Sequence, residues 1–295
     1  MELSNHKAGF VNIIGLPNVG KSTLMNALVG EKLAIITPKA QTTRHRIFGI
    51  VNEDDYQIVY SDSPGIIHEP QYKLQESMMK FVQMCLRDAD ILIVLLEAKQ
   101  KTPPPFFERI KKVPVPKIVV LNKADVITKE EAEAKLAFWK THIEAEAYIA
   151  VSALQKKNLT ALSDQILAML PLHPPYYGKD DLTDKPLRFF ASEIIREKIF
   201  LNFKQEIPYS VEIAIEVYQE EEDIARIRAI IFVDRESQKP IVIGRKGSML
   251  KKVGTEARID MEAFIEKKVY LELFVKVKKN WRNDDDLLKK FGYRG

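Results

Sequence analysis

The octapeptide Gly15-Leu16-Pro17-Asn18-Val19-Gly20-Lys21-Ser22 constrains this chain more than any other stretch. It matches G-x-x-x-x-G-K-[ST]. An apolar, β-rich run at 10–14 precedes it, and a helix-forming run at 23–29, closed by Gly30, follows. Strand, tight loop and helix in that order make a phosphate-binding loop. The glycines let the backbone fold closely around an anion, and the amides at the helix start point into the loop. The cradle comprises Gly15, Pro17, Asn18, Val19, Gly20, Lys21, Ser22 and Thr23. Lys21 is expected to reach the β- and γ-phosphates, and Ser22 to hold Mg²⁺.

The chain has 295 residues, which predicts two domains. Hydrophobic residues make up 46% and charged residues 29%, as in a globular protein with a real core. The net charge of +4 is too mild to select a partner. The single cysteine, Cys85, excludes an internal disulfide and a Cys-rich zinc site, and its helical spacing with Met78, Phe81 and Val82 marks it as a core residue. The five histidines show no metal-ligand spacing. The first eight residues lack the apolar segment of a signal peptide, and the longest apolar run, 91–96, is too short to span a bilayer. A reducing, cytoplasmic location is expected.

From 8 to 170 the chain alternates between strand and helix patterns. Strands are predicted at 10–14, 47–52, 57–61, 91–96, 117–121 and 148–151, and helices at 21–29, 74–87, 105–112, 129–143 and 159–170. Several strands are continuously apolar, as in a parallel sheet covered on both faces. This is a doubly wound α/β pattern, whose ligands lie at the carboxyl ends of the strands. The second and third strands, joined by Glu53-Asp54-Asp55-Tyr56, read as an edge hairpin. Three prolines and a glycine at 171–178 end the last helix. They set a linker at 171–186 between domains at 1–170 and 187–295. The second domain reads as helix (187–203), strands (211–219 and 224–234), a short helix (239–243), Gly244-Arg245-Lys246-Gly247, helix (248–265) and strand (268–278). That is a smaller α+β module.

Three further segments define the ligand's base. Asp62-Ser63-Pro64-Gly65 follows the third strand and matches D-x-x-G, so Asp62 can hold a Mg²⁺-bound water and the Gly65 amide can meet the γ-phosphate. Asn122-Lys123-Ala124-Asp125 follows the fifth strand and matches N-K-x-D. The Asp125 carboxylate can accept from guanine N1–H and N2–H₂, a donor pair that adenine lacks. Lys123 can lie over the base while Asn122 fixes the loop. Ser152-Ala153-Leu154 follows the sixth strand, and the Ala153 amide is expected at guanine O6. All four segments in this order resemble the translation-factor-like class of GTPases. In that class a switch threonine holds Mg²⁺. Thr43 is favoured here by its place before Arg44, with Thr42 the alternative. Ser22, Thr43 and Asp62 are then the metal residues.

The resemblance implies hydrolysis of GTP to GDP and phosphate, carried by Lys21, Thr43, Gly65 and Asn18. Ras-like proteins place a Gln after D-x-x-G to orient the water. Here Ile66 stands there, which predicts slow intrinsic hydrolysis or another way to place the water. Arg44 and Arg46 are expected as solvated residues of the switch. Two readings of Asn18 stay open: a ligand for K⁺ against the phosphates, as in related GTPases with a P-N-x-G-K-S loop, or a residue that accepts the loop's tight backbone geometry.

Gly244-Arg245-Lys246-Gly247, with Ile243 before it, matches the G-x-x-G clamp of a KH domain, which holds about four nucleotides of single-stranded RNA. Ile241, Val242, Ile243, Met249 and Leu250 are expected to floor an apolar groove. Residues 245–279 hold ten Lys/Arg against five Asp/Glu. The helix–strand–strand–helix–loop–helix–strand order is that of the prokaryotic (type II) KH domain. A GTPase of this pattern followed by a KH domain resembles the Era family of bacterial ribosome-assembly GTPases, over nearly the whole chain. Gln41-Thr42-Thr43-Arg44-His45-Arg46, Val233-Asp234-Arg235-Glu236 and Val269-Tyr270-Leu271-Glu272-Leu273 carry the resemblance beside the motifs. The chain departs from the family at Ser63, where Thr is common. The resemblance implies GTP-dependent binding near the 3′ end of 16S rRNA during maturation of the 30S ribosomal subunit, by a monomer that also meets the inner membrane face. A membrane-surface signalling GTPase in cell-cycle control is the alternative. Trp281-Arg282 is expected in a packed C-terminal helix, with base stacking the alternative, and Asp284-Asp285-Asp286 to cap a helix or form a solvated face.

Overall fold

A computed structural model describes residues 5–293. The backbone divides into two units, the second made of Gln71–Leu74 and the chain from Lys185 onward. The first is a doubly wound α/β layer structure. Its strands are β1 (Lys7–Ile14), β2 (Ile47–Asn52), β3 (Tyr56–Asp62), β4 (Ile91–Glu97), β5 (Lys117–Asn122) and β6 (Ala147–Ala150), in the spatial order β2-β3-β1-β4-β5-β6. β2 and β3 form the expected antiparallel edge hairpin, and the remaining pairs are parallel. Helices α1 (Lys21–Val29), α2 (Lys73–Arg87), α3 (Phe107–Lys111), α4 (Lys129–Lys140) and α5 (Leu159–Met169) connect them. Every residue from Ile91 to Leu96 is buried, because a central parallel strand is covered on both faces. Leu92 and Val94 pack with Phe107 of α3 and Trp139 of α4 in one apolar cluster. α4 starts with a capping box, Thr128 with Glu131, which supplies partners for its first free amides. The carboxyl ends of β1, β3, β4 and β5 carry the phosphate loop, Asp62, Glu97 and Asn122.

Residues 171–184, expected as linker, run along the first unit. Leu182 O accepts from Ile50 N of edge strand β2 at 2.8 Å, and Gln57 Oε1 accepts from the Tyr176 and Tyr177 amides at 2.7 and 3.0 Å. An unpaired strand edge needs such partners.

The solvated-switch expectation for Arg44 and Arg46 is overturned. Both side chains are buried, at 2% and 6% exposure. Arg46 pairs with Asp88, just after α2, at 2.5 Å and donates to Ser61 Oγ of β3 at 2.7 Å and Asn12 Oδ1 of β1 at 3.1 Å. A buried guanidinium persists only when its donors are matched, and this network supplies them. Cys85 is fully buried beside it, and burial pushes its thiol up to about 11.

The second unit holds α6 (Leu187–Asn202), α7 (Ile207–Ser210), β7 (Val211–Glu220), β8 (Ile224–Val233), α8 (Gln238–Ile243), α9 (Ser248–Ile265), β9 (Lys268–Val277) and α10 (Asp285–Lys290). The sheet order is β7-β8-β9, antiparallel and then parallel. Ile195 and Ile199 of α6 and Val253, Ala257 and Met261 of α9 share its core with β7–β9 residues. Trp281 is buried and donates to Ser210 O at 2.9 Å, and Asp284 caps α10, as expected. No helix among the described residues is long and apolar enough to cross a membrane.

Candidate functional site

A cleft of about 640 Å³ opens at the carboxyl ends of the strands in the first unit. Pro17, Asn18, Gly20, Lys21, Ser22, Thr23, Thr43, Gly65, Asn122, Lys123, Asp125, Ser152 and Leu154 line it. All four predicted segments therefore meet in one place. Gly15, Val19, Asp62 and Ala153 stand just behind them and shape the walls. Gly15 has no room for a side chain: a Cβ there would lie 2.5 Å from Leu95 O. One on Gly65 would lie 2.7 Å from Pro17 Cα, so only glycine lets this turn approach the loop.

Lys21 Nζ donates to Gly15 O at 3.3 Å and Leu16 O at 3.0 Å, inside its own loop. Burial lowers its ammonium to about 8, against a smaller raising effect from Asp62. A buried cation without a full counter-charge favours an incoming anion. Asp62 is also fully buried, and desolvation raises its carboxyl above the usual range, opposed by Lys21 and by hydrogen bonds from Ser22 and Thr43.

Three oxygens converge beside Lys21. Ser22 Oγ donates to Asp62 Oδ2 at 2.6 Å, and Thr43 Oγ1 lies 2.9 Å from Ser22 Oγ and 3.3 Å from Asp62 Oδ2. Asp62 Oδ1 is buried with no hydrogen-bond partner. An orphaned carboxylate oxygen among hard oxygen donors fits Mg²⁺. Thr42 is held elsewhere: its hydroxyl donates to Lys39 O at 2.8 Å and lies 2.6 Å from Thr37 Oγ1.

Asn122 locks the base side of the cleft. Its Nδ2 donates to Val19 O at 2.8 Å, and its Oδ1 accepts from the Ala153 amide at 3.0 Å. The Ala153 amide, expected at guanine O6, is thus engaged within the protein. The Asn side chain needs it, because a buried amide oxygen must find a donor. A Cβ on Gly20, where φ is +99°, would collide with Asn122 Nδ2. Asp125 is exposed at the rim of the cleft. Asn18 has a φ of 62°, so it adopts the left-handed turn geometry, and its Nδ2 donates to Pro38 O at 3.2 Å. Ile66 packs its side chain against the apolar cluster and ties its amide to Gly15 O at 3.1 Å.

In the second unit the loop 244–247 has positive φ at Gly244 (75°), Lys246 (50°) and Gly247 (78°). A Cβ on Gly244 would come 2.7 Å from Met249 Cγ, whereas Gly247 faces open space. Arg245 and Lys246 are both exposed on the loop. A cleft of about 400 Å³ beside Gly247 is lined by Leu250, Lys251, Gly254, Arg258, Leu271 and Leu273. The predicted groove floor is corrected in part. Leu250 lines the cleft, but Val242 is fully buried in the core, and the leucines of β9 take its place. α8 packs against α9 and β9 and turns that face into the core.

A family model described as a 50S ribosome-binding GTPase matches residues 10–123, and one described as a KH domain matches 206–282. GTPase Era of Thermoanaerobacter sp. (strain X514) is 42% identical, covering 98% of this chain and 97% of its own length. The chain belongs to the Era family of GTPases. GTPase Era of Syntrophus aciditrophicus (strain SB) is 45% identical over 97% of this chain and 95% of that one, and the chloroplastic GTPase ERA1 of Zea mays is 43% identical over 99% and 72%. Two solved structures share the fold at 38% identity, each covering 98% of this chain and 100% of the other. They are a variant of Aquifex aeolicus Era bound to GDP·AlF4⁻ (TM-score 0.94), and Era in complex with MgGDPNP and nucleotides 1506–1542 of 16S ribosomal RNA (TM-score 0.93).

This Era-family protein hydrolyses GTP. Sequence motifs missed one of the cleft's charged residues, Glu97 at the end of β4. Its Oε1 lies 3.0 Å from Lys123 Nζ and holds that ammonium at the base side. The rule that ligands sit at the carboxyl ends of parallel strands is the signal that could have found it. The Asn122 lock makes a prediction. Asn122→Ala leaves Val19 O and the Ala153 amide buried without partners, each costing about 1–3 kcal/mol. Thermal denaturation should show a Tm lower by roughly 4–15 °C, and GDP should dissociate faster. A wild-type Tm would remove the lock from the stability account.

Proposed function

We propose that this Era-family GTPase binds 16S rRNA near its 3′ end through the KH loop and acts in maturation of the 30S subunit, with GTP hydrolysis timing release. A GTPase domain (1–170) and a KH domain (187–295), joined through 171–186, divide that work. The observation that carries the reading is the loop at 244–247. Its glycines hold positive φ, Gly247 leaves space for a backbone, and basic residues flank an apolar cleft. Glycine permits close approach, cations meet phosphates, and the leucines meet bases. The Era–RNA complex among the solved relatives supports the same assignment.

Within the first unit, Ser22, Thr43 and Asp62 are our choice for Mg²⁺. The metal would add positive charge at the phosphates. Lys21, the loop amides and the Gly65 amide position the γ-phosphate, Asp125 reads guanine, and Thr43 orders the switch. We assign guanine O6 to the Ala153–Leu154 turn.

Gly247→Asp tests the clamp. Asp tolerates left-handed φ, and nothing lies within 4 Å of the added Cβ, so the fold should stand. A carboxylate there repels a phosphate. RNA affinity for a 16S 3′-end oligonucleotide should fall at least about tenfold, with GTP turnover nearly intact. Normal binding by the variant would end the KH assignment.

K⁺ at Asn18 is the proposal that remains from the loop sequence. Turnover in KCl should exceed that in NaCl, and the excess should vanish in Asn18→Ala. Equal rates in the two salts would leave Asn18 with its backbone role alone.

A further inference from the structure

Residues 99–117, between β4 and β5, carry six Lys/Arg against one carboxylate, Glu108, in a chain whose net charge is only +4. Lys111 takes that carboxylate, at 2.6 Å. Arg109 of α3 and Arg87 of α2 meet at a small pocket of about 220 Å³, lined also by Gln83 and Leu86. Both arginines are exposed, and neither has an acidic partner among the described residues; the same holds for Lys99 and Lys101. We propose that this α2–α3 face is a second RNA contact, in which Arg87 and Arg109 grip the phosphate backbone of a structured RNA segment. The proposal rests on the reading that RNA is this protein's partner, and it adds a site on the GTPase unit.

Three observations select the ligand. Unpaired arginines from two helices converge on one small pocket, and the planar guanidinium suits a phosphate's paired oxygens. The surrounding lysines extend the positive field, as a polyanion needs. The large apolar residues of the segment, Phe106, Phe107 and Ile110, are all buried in the core. They offer bases no aromatic platform and bilayers no wedge. Contact is therefore with the backbone, and a duplex, whose bases are already paired, is the fitting form.

The test uses the full chain and a blunt RNA duplex of about 20 base pairs with no 16S 3′-end sequence, read by fluorescence anisotropy over a range of KCl. Arg87→Gln/Arg109→Gln should weaken duplex binding roughly tenfold near 0.1 M KCl and reduce the salt slope by about 1.8, or 0.9 per lost phosphate contact. Arg87→Lys/Arg109→Lys should keep most of the slope. GTP turnover and binding of the single-stranded 3′-end oligonucleotide should not change. Duplex affinity and slope equal to wild type in the Gln pair would overturn the proposal. So would unchanged duplex binding together with lost flotation on phosphatidylglycerol vesicles, which would make the face a lipid contact. Failure of the KH reading shows separately, as retained oligonucleotide binding by Gly247→Asp.

Discussion

Asp125→Asn should exchange guanine for xanthine. The Asp125 carboxylate is exposed at the rim of an otherwise walled cleft, so the substitution leaves the fold untouched and Tm should not move. With guanine bound, the carboxylate accepts from N1–H and N2–H₂. Two hydrogen bonds to a charged acceptor contribute about 1.5–3 kcal/mol each. Asparagine presents an NH₂ where the base also presents donors, so at least one bond becomes a clash of like groups. GTP affinity should fall by roughly 10²–10⁴-fold. Xanthosine triphosphate carries a carbonyl at position 2 and restores the pairing, so its affinity should rise to exceed that of GTP. Calorimetric titration with both nucleotides measures the exchange. Unchanged GTP affinity would remove Asp125 from the base site.

Lys21→Met separates function from stability. Lys21 is buried, and its ammonium is held down to about 8 mainly by desolvation. Replacing a poorly matched buried cation with an apolar chain of similar length is often neutral or stabilising. Asp62 loses a counter-charge in the variant but keeps its hydrogen bonds from Ser22 and Thr43. The nucleotide-free Tm should therefore stay within about 3 °C of wild type. Hydrolysis loses a fixed charge at the transferring phosphoryl group, and its rate should drop about 10²–10³-fold. GTP affinity should fall more than GDP affinity, because the γ-phosphate depends most on this cation. A hydrolysis rate within threefold of wild type would contradict the role given to Lys21.

Much of the first unit was legible because its signals are local. Continuous apolar runs gave strands 91–96 and 117–121 within a residue or two, and each motif followed a strand end. The order of those motifs is enough to place phosphate, metal and base along one edge of a doubly wound sheet. α3 was harder. Pro103-Pro104-Pro105 suggested a helix start at 105, yet the helix spans Phe107–Lys111, two residues later and only five long. Its place depends on Phe106 and Phe107 reaching the core beside Trp139, and no local pattern reports that. The groove floor in the second unit shows the same limit. Val242 and Leu250 are equally apolar in sequence, and only packing puts one in the core and the other at the cleft.

The sequence by itself determined the class of the fold, the phosphate-loop pattern, the order of the motifs at the strand ends and the place of the glycine loop at 244–247. Each depends on residue type and short-range spacing, which the chain states directly. Tertiary structure alone decided which of two adjacent threonines meets Asp62, since Thr43 turns toward Ser22 while Thr42 turns toward Thr37. It also buried Arg44 and Arg46, gave the Ala153 amide to Asn122, and joined Glu97 to Lys123. It brought Arg87 to Arg109 across 22 positions of chain. These are choices of direction and partner among polar groups of similar type. Such groups are settled by which donors and acceptors remain once the apolar core has closed, and that count exists only in the folded chain.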